Sequence, residues 1–278
     1  MTAELTIGVL LVGWYLSVGL GVTVGYHRTL THRSLELPKW FLYPLVFMGL
    51  GAGPPIPWVS NHRNHHAKTD TPEDPHAPGI HGFWFAHCGW YLGIRNRLAC
   101  FLYAMAGPLR LLIDAACRPV YTMDSCSNTQ DLKKFPFLVF ISRRPGYILG
   151  VLIHTLPFVI CLAFQNYFFL AIMWFTVVAM YNAGDAVNSV THRWGGTDFQ
   201  TSDKSRNHFW VAMFSLGEGW HNSHHAFPSS ARHGLAPGQL DFSWLFIQLL
   251  RRLKIASAVR QPNPKELNER RSSGISNQ

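Results

Sequence analysis

Charge is scarce in this chain. Only 14% of its 278 residues are Asp, Glu, Lys or Arg, whereas ordinary soluble domains carry about 25%. So little charge cannot coat a water-facing globule, and it points to a protein that gives much of its surface to lipid. The five cysteines (Cys88, Cys100, Cys117, Cys126, Cys161) never fall into Cys-x-x-Cys spacing. That excludes the usual thiolate-ligated zinc or iron–sulfur motifs and reads as reduced, structural thiols. No basic region precedes the apolar amino-terminal stretch, so no cleavable signal is expected. Haem-binding and flavin-binding modules are missing too. No basic run interleaves with aromatics, which argues against a nucleic-acid surface. The net charge of +9 fits cytoplasmic loops that face anionic headgroups.

What the chain does have is histidine, aromatic residues and long apolar runs. Two copies of His-x-x-His-His stand out: His62-Arg63-Asn64-His65-His66 and His221-Asn222-Ser223-His224-His225. On an α-helix, offsets of three and four return to one face, so each copy is expected to aim three imidazoles at one spot. His27 and His32 form a third cluster, and His192 ends the run Asn188-Ser-Val-Thr-His192. Imidazole suits iron, copper, zinc and nickel. Nine such histidines exceed the needs of one tetrahedral zinc and suit two metals with open positions. His81, His87, His154, His208 and His233 read as core or surface residues. His76, directly after Asp74-Pro75, stands between the two readings.

The apolar runs place the membrane. Thr6 to Tyr26 is 21 uncharged residues, enough to span, so His27 falls at a membrane boundary. Trp40 to Val59 is apolar but is broken by Gly51-Ala-Gly-Pro-Pro-Ile-Pro57, which suits a re-entrant or shallow segment. Gly146 to Phe164 and Tyr167 to Ala186 form a helical hairpin. Arg143-Arg144 marks its cytoplasmic side, and both hairpin ends, with His192, then face the cytoplasm. Ala99 to Ala116, punctuated by Arg110 and Asp114, reads as an interfacial amphipathic helix. Phe209 to Leu216 and Phe242 to Leu250 read as helices packed on a cytoplasmic cap. Residues 1–259 form the main domain, and 260–278 read as a polar, disordered tail.

Local geometry adds detail. His27 and His32 are about 140° apart on a straight α-helix, so the helix is expected to end between them, near Thr29 and Thr31. Asp185, Asn188 and His192 share one helical face, and Asn188 could meet a metal through a water. Asp185 near the membrane end of a span reads either as a functional group or as a residue reaching the interface. Asp70, Asp74, Glu218 and Asp185 are the carboxylates closest in sequence to the motifs, hence candidate acceptors for the outer imidazole nitrogens. For Asp74 the alternative is a turn residue before Pro75.

Together, His27-Arg-x-x-x-His32, His62-Arg-x-His-His66, Asp74-Pro-His76, Asn188-Ser-x-x-His192, Gly217-Glu-Gly-Trp-His-Asn-x-His-His225 and Ser230-Ala-Arg-His-Gly234 resemble the membrane fatty acyl desaturases from about Gly21 to Val259. The resemblance implies an all-α integral membrane protein with three to four transmembrane helices under a cytoplasmic helical cap, and a kinked acyl tunnel. It implies two iron ions held by His27, His32, His62, His65, His66, His192, His221, His224 and His225, with Asn188 acting through water. Trp58, Asp74, His76, Asp185 and Glu218 become candidates for substrate contact or for supporting the ligands. The implied reaction uses O2 to remove two hydrogens from a saturated acyl chain on CoA, carrier protein or glycerolipid, leaving a cis double bond and water. Two electrons per turnover must come from a separate donor, a ferredoxin or a cytochrome b-type protein with its reductase. Two departures are visible. Relatives usually carry a further span ahead of the one ending at His27, where this chain has 26 residues, and with three spans the amino terminus lies outside. A bulky aromatic is also common where this chain has Asp185, close to the acyl-chain kink. Hydroxylation at the same site is the principal rival. A zinc hydrolase would need a Glu beside the first His of a motif, where this chain has Arg63 and Asn222. A metal transporter would line a path through the membrane with ligands, not gather them at one side.

Overall fold

The computed structural model describes residues 3–119 and 125–271, with side chains from residue 12 onward. Among these residues the secondary structure is helical, with only isolated β-bridges and no strand. Helix α1 (Ala3–Leu20) continues without a break into a π-helix over Gly21–Thr31. It ends at Thr31, between His27 and His32 as expected, but its last turns are π and not α. A helix closed by i→i+5 bonds is wider than an α-helix, so residues five apart share a side. His32 N–H donates to His27 O at 3.1 Å, and the two imidazole centroids lie 4.8 Å apart. The widened coil sits tight against the next helix: a Cβ on Gly21 would lie 2.5 Å from Gly49 N and 2.6 Å from Leu45 O.

The interrupted run after Trp40 folds as α2 (Lys39–Met48), a 3-10 turn over Gly49–Ala52, and α3 (Pro55–Lys68). Gly53, at φ +119°, makes the bend between turn and helix, where a side chain would be strained. Three side chains satisfy the exposed carbonyls of the bend. Tyr181 donates to Gly51 O, Arg118 Nη1 to Ala52 O and Tyr26 to Gly53 O, each at 3.0 Å. Irregular backbone at membrane depth persists only where such partners exist.

The expected single helix over Ala99–Ala116 is two, α4 (Arg97–Ala104) and α5 (Pro108–Cys117). Gly107 at φ +53° and Pro108 break it. Its two charges do not face headgroups either: Arg110 and Asp114 are buried. The hairpin forms as α6 (Arg144–Ala163) and α7 (Tyr167–Ser189), the two helices long and apolar enough to cross a membrane among the described residues. Asn166 caps α7 by accepting from Phe169 N. Leu149, Leu152, Leu156, Val159 and Phe175 turn outward, an apolar surface that fits a membrane protein and not a water-facing one.

Three short helices follow the hairpin: α8 (Phe209–Phe214), α9 (His221–Ala226) and α10 (Phe242–Arg252). The expected disordered tail is ordered as far as Arg271. Asn263 and Glu266 form a capping box that starts α11 (Pro264–Glu269). Leu267 packs on the Phe199–Ala226–Phe227 cluster, and Gln200 N–H donates to Arg270 O at 2.8 Å.

Gly21→Ala tests the close approach. The new methyl meets backbone that cannot give way, so unfolding stability of the detergent-solubilised protein should drop by about 1–3 kcal/mol, as for other overpacked sites. An unchanged melting temperature would contradict the packing described.

Candidate metal centre

The fold brings all nine motif histidines into two adjoining groups. His27, His32, His62, His66 and His224 form one; His65, His192, His221 and His225 form the other. Within each group one ring nitrogen per residue lies within 4.8 Å of all the others. The groups touch through His66 and His225, whose rings stack at 4.5 Å. Each His-x-x-His-His copy therefore divides between two spots and does not aim at one. The helix explains the division. An offset of four rotates by about +40° and an offset of three by about −60°, so the first and last histidines stay together and the middle one turns away. His62 and His66 face the first group and His65 the second, whereas His221 and His225 face the second and His224 the first.

Carboxylates hold the imidazoles from behind. Asp74 accepts from His65 Nδ1 at 3.0 Å, Asp70 from His192 Nδ1 at 3.2 Å and Asp203 from His225 Nδ1 at 2.8 Å. Glu218 takes the Nδ1 of His27 and also pairs with buried Arg28 at 2.9 Å. An ionised carboxylate can only accept, which fixes the proton on Nδ1 and turns each Nε2 lone pair inward. Nε2 atoms then face one another: His66–His224 at 2.9 Å, and His27–His224, His62–His66 and His192–His221 each at 3.1 Å. The Nε2 atoms of His32, His65 and His225 are buried without a hydrogen-bond partner. Lone pairs at such distances repel unless a cation lies among them. The residues present thus fit a metal, and a nitrogen-rich donor set suits iron, zinc, copper or nickel.

Burial, reinforced by neighbouring imidazoles, holds His32, His62, His66, His221, His224 and His225 well below the ordinary histidine range. Burial also lowers His65, to about 4, although Asp74 opposes the shift. Burial works against ionisation of Asp74 too, but hydrogen bonds from His65 and His76 pull its carboxyl far below the usual range. For Glu218 burial is outweighed by Arg28 and His27. All these imidazoles are therefore neutral donors at pH 7.

The remaining sequence candidates fall into place unevenly. Trp58 stacks on His62 at 5.2 Å. His76 bonds Asp74 at 3.0 Å and packs its ring on His65 and Trp90. Asn188 is near the end of α7 with its Oδ1 buried and unpartnered. Asp185 touches no histidine. Its carboxylate binds Arg110 at 2.6 Å and Tyr91 at 3.0 Å, and Arg110 lies over the Tyr103 and Tyr181 rings. It neither reaches an interface nor stands alone. Two neighbours of the centre escaped the sequence reading. Asp203 sits in a loop with no periodic signal. His233 is buried 3.5 Å from Glu218, its ring 4.5 Å from that of His224, and the Ser230–Gly234 motif was its only signal. His87, His154 and His208 lie elsewhere, bonded to Ser189 and Asn182, to Phe47 O, and to Val211 N. Arg63 and Asn222, beside the first His of each copy, are structural. Arg63 binds Asp131 and the Leu30 carbonyl, and Asn222 Oδ1 accepts from Asp198 N and Phe199 N.

A cavity of about 210 Å³ runs past His27 and His62 between mostly apolar walls that include Val18, Val22, Pro54, Met180 and Leu216. A hydrocarbon chain fits such a space, and a metal at the first histidine group would border it. Compared with known proteins, residues 5–240 match the family model described as fatty acid desaturase. The chain belongs to that family. This desaturase is 38% identical over 262 residues to the sn-1 stearoyl-lipid 9-desaturase of Anabaena variabilis, covering 94% of this chain and 86% of that one. It is 37% identical over 263 residues to the Delta-9 acyl-lipid desaturase 1 of Arabidopsis thaliana, covering 91% and 74%. The Acyl-CoA C20 Delta5-desaturase of Anemone leveillei is 37% identical over 257 residues, covering 91% and 72%. The desaturase is thus an oxidoreductase of lipid metabolism.

Two measurements check the site's electrostatics. Imidazoles held below their unfolded value of about 6.5 take up protons on unfolding, so their stabilising contribution is full above that value. It is lost as pH falls toward the folded values, about 4 for His65. The melting temperature of metal-depleted protein should therefore decline steadily from pH 7 to pH 4.5, and a flat profile would contradict neutral burial. Asp185→Leu leaves Arg110 buried without its partner and should cost about 3–5 kcal/mol. The double variant Asp185→Leu with Arg110→Met should recover most of that loss in the same unfolding assay.

Proposed function

We propose that this desaturase uses two iron ions and O2 to place a cis double bond in a saturated acyl chain carried by CoA, a carrier protein or a glycerolipid. One observation carries the reading: two adjoining groups of five and four imidazoles, four of them oriented by carboxylates, the first group bordering a mostly apolar cavity through His27 and His62. His27, His32, His62, His66 and His224 would hold one iron, and His65, His192, His221 and His225 the other, with Asn188 Oδ1 reaching the centre through a water. When bound, the iron pair supplies the O2 chemistry needed to take hydrogen from an unactivated CH2 group, which side-chain acids and bases cannot do.

The rest falls to the protein. Asp70, Asp74, Asp203 and Glu218 keep the Nδ1 protons in place and the Nε2 lone pairs aimed inward. Trp58, packed on His62, lines the cavity where the reacting carbons must lie. The apolar walls exclude water and hold the chain in one path, so position along the path selects the carbons. A ferredoxin or a cytochrome b-type protein with its reductase delivers two electrons from outside. In this reading residues 1–259 form the catalytic domain, three to four helices span the bilayer, and the metal centre faces the cytoplasm at the Arg143–Arg144 side of the hairpin.

Purified protein should contain close to two irons per chain, and cells that express it should gain monounsaturated acyl chains. His225→Ala should remove the new lipids and lower the iron content while the protein stays in the membrane. A single zinc per chain, or hydroxylated chains in place of alkenes, would overturn the assignment.

A further inference from the structure

We infer that the polar mouth of the cavity, formed by Tyr147, Arg118 and Arg144, receives the ester end of a membrane glycerolipid, so that the acyl chain enters from the bilayer leaflet. The inference rests on the acyl-desaturase reading above and narrows its substrate class. The cavity is exposed at two places. At one, Pro119 and Arg144 are its exposed lining residues; at the other, Gly184 and Phe214 are. The two ends differ in chemistry.

At the first end the hydroxyl of Tyr147 is buried without any hydrogen-bond partner in a side chain only 3% exposed, and Arg118 Nε is in the same state. Both residues line the cavity. A buried polar group left unsatisfied is costly, and these two are donors, so the missing partner is an acceptor oxygen. At the second end the lining is Tyr15, Val18, Phe214 and Leu216. The hydroxyls there are already used, since Tyr15 donates to Phe214 O and Ser215 to Val211 O. A molecule with oxygen at one end and hydrocarbon at the other matches this polarity along the whole cavity.

Two further observations select an ester in a lipid. Arg118 is already neutralised by Asp114 at 2.8 Å, lies over the Tyr91 ring at 4.2 Å and donates to Ala52 O, so its free N–H suits a neutral carbonyl better than a phosphate. The mouth lies where α5 meets the start of α6, joined by the Arg144 Nη2 bond to Ala116 O. Both helices turn apolar side chains outward beside it, Leu109 and Leu112 on α5, Leu149 and Leu152 on α6. Arg143 and Arg144 stand at the boundary of that apolar surface, the level of lipid headgroups. An opening framed in this way is reached by a lipid lying in the leaflet more directly than by a carrier in water.

The test uses the full iron-loaded chain reduced by a ferredoxin and its reductase, supplied with either distearoyl phosphatidylcholine in mixed micelles or stearoyl-CoA. Tyr147→Phe keeps the ring and removes the hydroxyl, so it should fold like the wild type, as its melting temperature will report. It should raise KM for the glycerolipid about tenfold, the worth of one buried hydrogen bond, with kcat largely kept. The lipid's stabilisation of metal-free protein should weaken in parallel. Equal KM values for wild type and Tyr147→Phe, or a wild type that takes stearoyl-CoA and ignores the glycerolipid, would overturn the inference and leave the desaturase reading intact. A wild type that desaturates neither substrate would remove the reading on which it rests.

Discussion

Imidazoles crowded with their lone pairs toward one another need to be held from the far side. The whole structure answers that constraint. Carboxylates from three different stretches, Asp70 with Asp74, Asp203 and Glu218, fasten the outward nitrogens of His27, His65, His192 and His225. Those carboxylates are fastened in turn: Glu218 by Arg28, Asp74 by His76, Asp70 by the backbone of Lys204. Nine imidazoles gathered so closely, with facing Nε2 atoms about 3 Å apart in four pairs, make a place where a cation is favourable. The helices, bends and loops around them can be understood as the scaffold that brings those stretches together.

Much of this was legible in the chain because it is local. Offsets of three and four residues tell which rings share a helix face, and apolar runs of about twenty residues tell where lipid lies. The division of each triplet between two groups follows from the same helical arithmetic, taken one step further than face-sharing. The capping box at Asn263-Pro-Lys-Glu266 was also local, but the polar composition around it concealed the helix. What could not be read depends on contacts distant in sequence. Arg110 and Asp185 are 75 residues apart, and nothing in either segment marks the other. Asp203 and His233 come from loops, where no period exists to place them. The π-helix begins at Gly21, where the chain presses against Gly49, a tertiary contact that local propensity does not register.

The Arg110–Asp185 pair shows how a charge can lie deep in an apolar bundle without serving as a ligand. Three tyrosine rings, two of whose hydroxyls bond Asp185 and Asp114, and a second ion pair, Arg118–Asp114, surround it. Arg118 and Tyr181 also clamp the bend that lines the cavity. The network thus ties the wall beside the cavity to α7, the helix that carries Asp185 and Asn188.

The ordered carboxyl-terminal helix has a practical meaning. Arg270 donates to Ala226 O, directly behind the His221–His225 turn, and Arg271 bridges to Phe199. The last described residues act as a strap across the back of a histidine motif more than forty positions earlier. Shortening the polypeptide before Arg271, or fusing a tag there, therefore disturbs the donor array from behind although no donor is touched.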